Sequence, residues 1–104
     1  MSKKPHKIFA ALGDETRLRL VSRLSAEGPL SIAKLSEGSK LTRQAITKHL
    51  RVMESARLLH CRRRGRETVW TLDERRLNEA RQALAAISRE WDNALSRLKR
   101  FVED

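Results

Sequence analysis

Residues 73–102 contain neither Gly nor Pro. Those two residues interrupt helices at costs of roughly 1 and 3 kcal/mol, so the stretch predicts one long helix capped at Asp73. Its apolar residues recur every seven positions. Leu77, Leu84, Trp91 and Leu98 form one row, and Ala80, Ile87, Ala94 and Phe101 form another. Two such rows are the seam of a coiled coil. A chain of 104 residues has a small body, and a seam this long needs a second helix over part of it. The plainer alternative is a helix packed wholly on its own domain. We expect a homodimer whose interface draws on Ile8, Phe9, Leu77, Leu84, Ile87, Trp91, Leu98 and Phe101.

The second constraint is Leu41–Leu59. Thr42 has a hydroxyl suited to capping a helix. Ile46, Leu50 and Met53 then follow at spacings of four and three, which makes one apolar stripe. The opposite face carries Arg43, Gln44, Thr47, Lys48 and Arg51. Taken alone, that is an ordinary solvated face. Its chemistry also suits DNA: cations meet phosphates, and Arg, Gln and Lys reach base edges in a major groove. His49 divides between a phosphate or base contact and a structural hydrogen bond with its turn.

The segments before this helix give it a context. His6–Leu12 reads as a short helix with Ile8, Phe9 and Leu12 on one face, ended by Gly13. Asp14 caps a second helix running to about Ala26, with Leu18, Val21 and Leu24 inward and Leu20 beside them. Gly28-Pro29 breaks it. Ser31 caps a third, short helix with Ile32 and Leu35 inward, and Gly38-Ser39 turns the chain into the basic helix. A short helix, a Gly-containing turn and a longer basic helix form a helix-turn-helix, whose second helix enters the major groove.

After Met53 the period changes to two. Leu59 and Cys61, then Trp70 and Leu72, predict a two-stranded hairpin turning at Gly65. Its tip holds Arg62, Arg63, Arg64 and Arg66. A charged tip keeps an edge strand soluble, but four arginines exceed that need and suit phosphate or the minor groove. The fold expected is therefore mainly α with a small β-hairpin, a winged helix-turn-helix. We expect a single domain over 1–104, with a DNA-binding core at 14–72 and dimerisation helices at 6–12 and 74–102.

The formal charge of +10 favours a polyanionic partner, double-stranded DNA first. Cys61 is the one cysteine, so no intrachain disulfide forms. The apolar run Ile8–Leu12 is too short for a leader core or a membrane span, and a soluble cytoplasmic protein is the expectation, without membrane association. No nucleophile elbow, phosphate-binding Gly loop or metal dyad appears, so no enzyme is expected.

The sequence resembles the ArsR/SmtB winged helix-turn-helix regulators over roughly Ile8–Leu72. The likeness rests on Ala11-Leu12-Gly13-Asp14-Glu15-Thr16-Arg17-Leu18-Arg19-Leu20, on Leu41-Thr42-Arg43-Gln44-Ala45-Ile46-Thr47-Lys48-His49-Leu50, and on Gly65-Arg66-Glu67 with Trp70 and Leu72. The resemblance implies a homodimeric repressor, with DNA contacts at Thr42, Arg43, Gln44, Thr47, Lys48 and His49; such a dimer is expected to meet a pseudo-palindromic operator. It departs from the family where many members have metal ligands. No Cys-x-Cys pair lies between Leu30 and Leu41, and the last helix has no His. It also has Arg57 where Gly is frequent. The tail from Glu90 resembles a subgroup without metal sites. No cofactor is expected, and release from DNA then falls to a small molecule, a partner protein or a change in concentration.

Other readings remain beside this one. A non-specific nucleic-acid binder would use the same charge, and a protein-interaction module would use the same long helix. RNA readers stack bases on exposed aromatics, whereas Phe9, Trp70, Trp91 and Phe101 sit at core-like or seam positions. A metal-responsive repressor has few soft ligands: His6, His49, His60 and Cys61. His60 and Cys61 are neighbours on a strand and point to opposite faces. A thiol-responsive repressor would rely on Cys61 beside Arg62–Arg64, yet Cys61 shares its face with Leu59 and Trp70 and suits a small buried hydrophobe.

Overall fold

The computed structural model describes residues 5–103. Helices α1 (Pro5–Leu12) and α2 (Glu15–Glu27) are followed by strand β1 (Leu30–Ser31) and helices α3 (Ile32–Ser36) and α4 (Arg43–Ser55). Strands β2 (Leu59–Arg64) and β3 (Glu67–Leu72) lead into α5 (Glu74–Glu103). The helix starts follow from side-chain chemistry. Asp14, Ser31 and Thr42 are extended in backbone, and each side chain accepts the N–H three residues on, from Arg17, Lys34 and Ala45. Those bonds satisfy amides that a helix start leaves without partners.

The end of α4 is a Schellman motif. The Leu58 N–H donates to the Met53 carbonyl at 3.0 Å and the Arg57 N–H to that of Glu54 at 2.9 Å. Leu58 and Met53 are both fully buried, the apolar contact that accompanies this cap. The motif needs a left-handed residue at position 57, and Arg57 takes φ +63°. It is the one non-glycine with positive φ among the described residues.

The sheet is antiparallel, with order β1-β3-β2. The hairpin register pairs Leu59 with Leu72, Cys61 with Trp70 and Arg64 with Glu67, leaving Gly65 and Arg66 as a two-residue turn. The third strand adds what the hairpin expectation lacked: Leu30 pairs with Trp70 and Ser31 with Val69. Two residues are too few to show alternation in a sequence. Trp70 on the central strand is thus flanked on both sides and is fully buried.

The core forms where Leu20, Val21 and Leu24 of α2 meet Ile46, Leu50 and Met53 of α4, with Leu35, Leu58, Leu59 and Trp70 closing it. Two expectations change. Leu18 is 52% exposed because it lies two positions before Leu20, nearly opposite it on the helix. Ile8 is fully buried in the chain's own core, since α1 packs against α2, α4 and α5, and it does not belong to an external interface. Phe9 and Leu77 are partly buried against the same core.

Helix α5 leaves the body. Ala80 is its one buried residue among those described. From Leu84 onward the large seam residues are bare, with Trp91 65% and Phe101 81% exposed. The chain accordingly measures 68 × 34 × 20 Å. Its root is fixed by Arg76, whose Nε donates to the Ala56 carbonyl at 3.1 Å.

Arg57→Gly should stabilise the protein by about 0.5–1 kcal/mol, because Gly adopts left-handed φ without steric cost. Urea unfolding at matched protein concentration measures it, and an unchanged or lower midpoint contradicts the strain assignment.

Candidate nucleic-acid interface

With Ile46, Leu50 and Met53 turned inward, the other side of α4 is forced outward. Thr42, Arg43, Gln44, Thr47, Lys48 and Arg51 line one open depression on that side. Thr42 holds the Ala45 amide at 3.0 Å, and the first intrahelical bond runs from Ile46 to the Thr42 carbonyl. The amides of Arg43 and Gln44 precede it, at the positive end of the helix dipole. Arg43, Gln44 and Lys48 are exposed and Thr47 is half-buried. The Thr47 hydroxyl donates to the Arg43 carbonyl at 2.9 Å, which leaves its oxygen as an acceptor facing outward groups.

Arg51 has a more structural setting. Its guanidinium donates to Glu54 at 2.8 Å and lies 3.8 Å from the Cys61 sulfur. It also stacks 5.0 Å from the Trp70 ring centroid, within cation–π range. The Glu54 hydrogen bond, then that with Cys61, raises its pKa further. Arg51 therefore clamps the recognition helix to the hairpin base. Its partner Glu54 was legible from i,i+3 spacing; the stacking on Trp70 depended on tertiary folding.

Arg62, Arg63, Arg64 and Arg66 are all exposed at the hairpin tip, where Gly65 takes φ +63°. Side chains alternate across a strand. Arg62 and Arg64 share the His60 face, while Arg63 lies on the Cys61 face. The cluster seen in the sequence is thus divided between two surfaces.

The structure places His49 apart from the other named DNA residues. It lies against the start of α2, with Nδ1 3.3 Å from Arg17 Nη1 and 3.8 Å from Asp14 Oδ2. Sequence reasoning passed over Arg17, which stands 32 positions away; no local signal marks such a partner. Asp14 has a lowered pKa, chiefly through the Arg17 amide.

His60 Nε2 meets Asp73 Oδ2 at 2.7 Å, while Asp73 Oδ1 accepts the Arg76 amide at 3.2 Å. This ties the hairpin to the start of α5. Partial burial pushes the Asp73 carboxyl up, but the His60 and Arg76 hydrogen bonds outweigh it and hold the pKa below the ordinary value. Among the described residues, no group of three or more His, Cys, Asp or Glu is placed to hold a metal ion. No helix among them is long and apolar enough to cross a membrane.

A capped basic helix behind a short helix and turn, beside an arginine-tipped hairpin, is the apparatus of a winged helix-turn-helix DNA-binding regulator. A family model described as a helix-turn-helix domain matches residues 12–62. The chain is 34% identical over 101 residues to the HTH-type transcriptional regulator Rv2034 of Mycobacterium tuberculosis, covering 97% of this chain and 91% of that one. It is 36% identical over 66 residues to a transcriptional repressor SmtB homolog of Synechocystis, covering 64% of this chain and 49% of the relative. An ArsR-like transcriptional regulator from Rhodococcus sp. RHA1 superposes with a TM-score of 0.79 at 32% identity, over 93% of this chain and 91% of that one. The chain belongs to the ArsR family of DNA-binding transcriptional regulators. These relatives and this fold are those of regulators, not enzymes.

Asp73 supplies a pH test. Because its pKa is lowered on folding, its contribution is present above the unfolded value, near pH 4, and is lost as pH falls through the folded one. Asp73→Asn should cost about 0.5–1 kcal/mol at neutral pH and lose less stability than the parent from pH 5 downward. Urea melts across that range measure it; parallel acid limbs contradict it.

Proposed function

We propose that the protein is a homodimeric repressor that reads a pseudo-palindromic operator and operates without sensing a metal. The observation that carries this reading is the single outward surface formed by Thr42, Arg43, Gln44, Thr47 and Lys48 at the exposed start of α4. In this reading two recognition helices sit about 34–36 Å apart, one turn of duplex. Thr42 and the first-turn amides anchor a phosphate. Arg43, Gln44 and Thr47 reach base edges, while Lys48 and the hairpin arginines Arg62, Arg63, Arg64 and Arg66 supply the salt-dependent part. Arg51 contributes chiefly by holding hairpin and helix together.

The bare stripe of α5 supports the dimer. Leu84, Ile87, Trp91, Leu98 and Phe101 are all more than half exposed, and so long an apolar seam favours a matching copy. We assign the dimer contact to this stripe together with the partly exposed Phe9 and Leu77. The DNA-binding core then spans 14–72, with α1 and α5 as the dimerisation helices. The Synechocystis relative is described as a repressor; here repression would follow from an operator that overlaps a promoter. Two histidines already have partners in the fold, His49 with Arg17 and His60 with Asp73, which supports a metal-independent mechanism.

The test begins with a duplex that the full chain selects from a random pool. Gln44→Ala should cost about 1–3 kcal/mol on that duplex and little on random DNA. Arg64→Ala should weaken both alike and flatten the salt slope by about one unit. Equal competition by selected and random duplex contradicts specific recognition. Separately, Trp91→Glu with Leu98→Glu should yield a folded monomer at micromolar concentration with much weaker operator binding. Sedimentation measures the first effect and titration the second; an unchanged dimer contradicts the seam assignment.

A further inference from the structure

The apolar stripe of α4 sets how deeply the helix is seated, but apolar contacts are non-directional. Hydrogen bonds depend on angle, and α2 donates one to His49, a side chain of α4 set apart from its outward polar face. The Arg17 guanidinium has donors only, so its Nη1 donates and His49 Nδ1 accepts, at 3.3 Å. The ring proton of His49 then belongs to Nε2. Arg17 Nε donates to the Ala11 carbonyl in the last turn of α1, at 2.6 Å. The Arg17 amide donates to Asp14 Oδ2 at 3.0 Å, and that oxygen lies 3.8 Å from His49 Nδ1. Groups from α1, α2 and α4 meet at this point, with the His49 side chain only 26% exposed.

The geometry points to Arg17 and His49 as positioning residues that fix the rotation of the recognition helix about its own axis. They determine where Gln44 and Arg43 meet base edges without touching DNA themselves. Side-chain tips stand roughly 6 Å from a helix axis. A roll of about 10° therefore moves them about 1 Å, enough to spoil a base hydrogen bond. Because Arg17 also holds the end of α1, which packs on α5, the bond relates the reading head to the helices assigned to the dimer. The inference rests on the reading of α4 as the base-reading helix.

The experiment uses the full chain and the duplex it selects from a random pool. Arg17→Met and His49→Leu should each weaken that duplex by roughly tenfold, as expected for a coupling between contacting residues. The double variant should lose no more than the weaker of the two singles. Affinity for random DNA and the salt slope should remain as in the parent. Losses that multiply, or equal losses on random DNA, would show His49 contacting DNA directly and overturn the proposal. Conservative replacements give an independent arm with little risk to folding. His49→Asn places an acceptor where Nδ1 stood and should keep most of the affinity. His49→Gln places its amide nearer the Nε2 position and should not. The reverse order would overturn the proposal. If the unsubstituted chain selects no duplex, the base-reading assignment of α4 itself fails, an outcome distinct from multiplying losses.

Discussion

Burial of Ile46, Leu50 and Met53 against α2 and the sheet is the contact on which the rest depends. Each is at most 1% exposed, and burying such a side chain is worth about 1.5–3 kcal/mol. That energy selects one rotation of α4 among all others. Turning the helix by half a revolution would expose the stripe and bury Arg43, Gln44 and Lys48, whose charges and amides would lose water without gaining partners. The outward polar face of α4 is therefore a consequence of core packing.

Polar contacts then refine what packing begins. Arg51 lies across Trp70 and beside Cys61, joining helix to hairpin. Asp73 caps α5 and accepts from His60, joining hairpin to rod. Arg17 joins α1 to His49. Each link unites two elements that their own sequences would allow to move separately. If helix and hairpin meet one duplex, as proposed, their relative placement matters as much as their composition.

Helix α5 obeys a different rule. Its apolar rows continue well past the last buried residue, Ala80, so the chain carries more seam than its own core uses. Such a surface is costly in water, and Arg89, Arg97, Lys99 and Arg100 along the same helix keep its other sides polar. The body holds the root through Arg76 and Ala80 and leaves the distal stripe to whatever covers it.

Much of this was legible in the residues themselves. The caps at Asp14, Ser31 and Thr42, the stripe of α4, the hairpin turn at Gly65 and the length of α5 all follow from local spacing. Local physics governs them, because a cap or a helical face is complete within a few residues. At Arg57 the residue itself gave no sign; the resemblance marked the position as one where Gly is frequent, and the structure showed the left-handed backbone there. What the sequence by itself could not determine was every pairing between distant elements. Strand β1 is two residues long and exists only because Trp70 and Val69 on β3 offer it partners. Ile8 went to the chain's own core, and His49 turned to Arg17. Those choices were made by tertiary structure, because a side chain with two chemically acceptable partners takes the one that folding brings within reach.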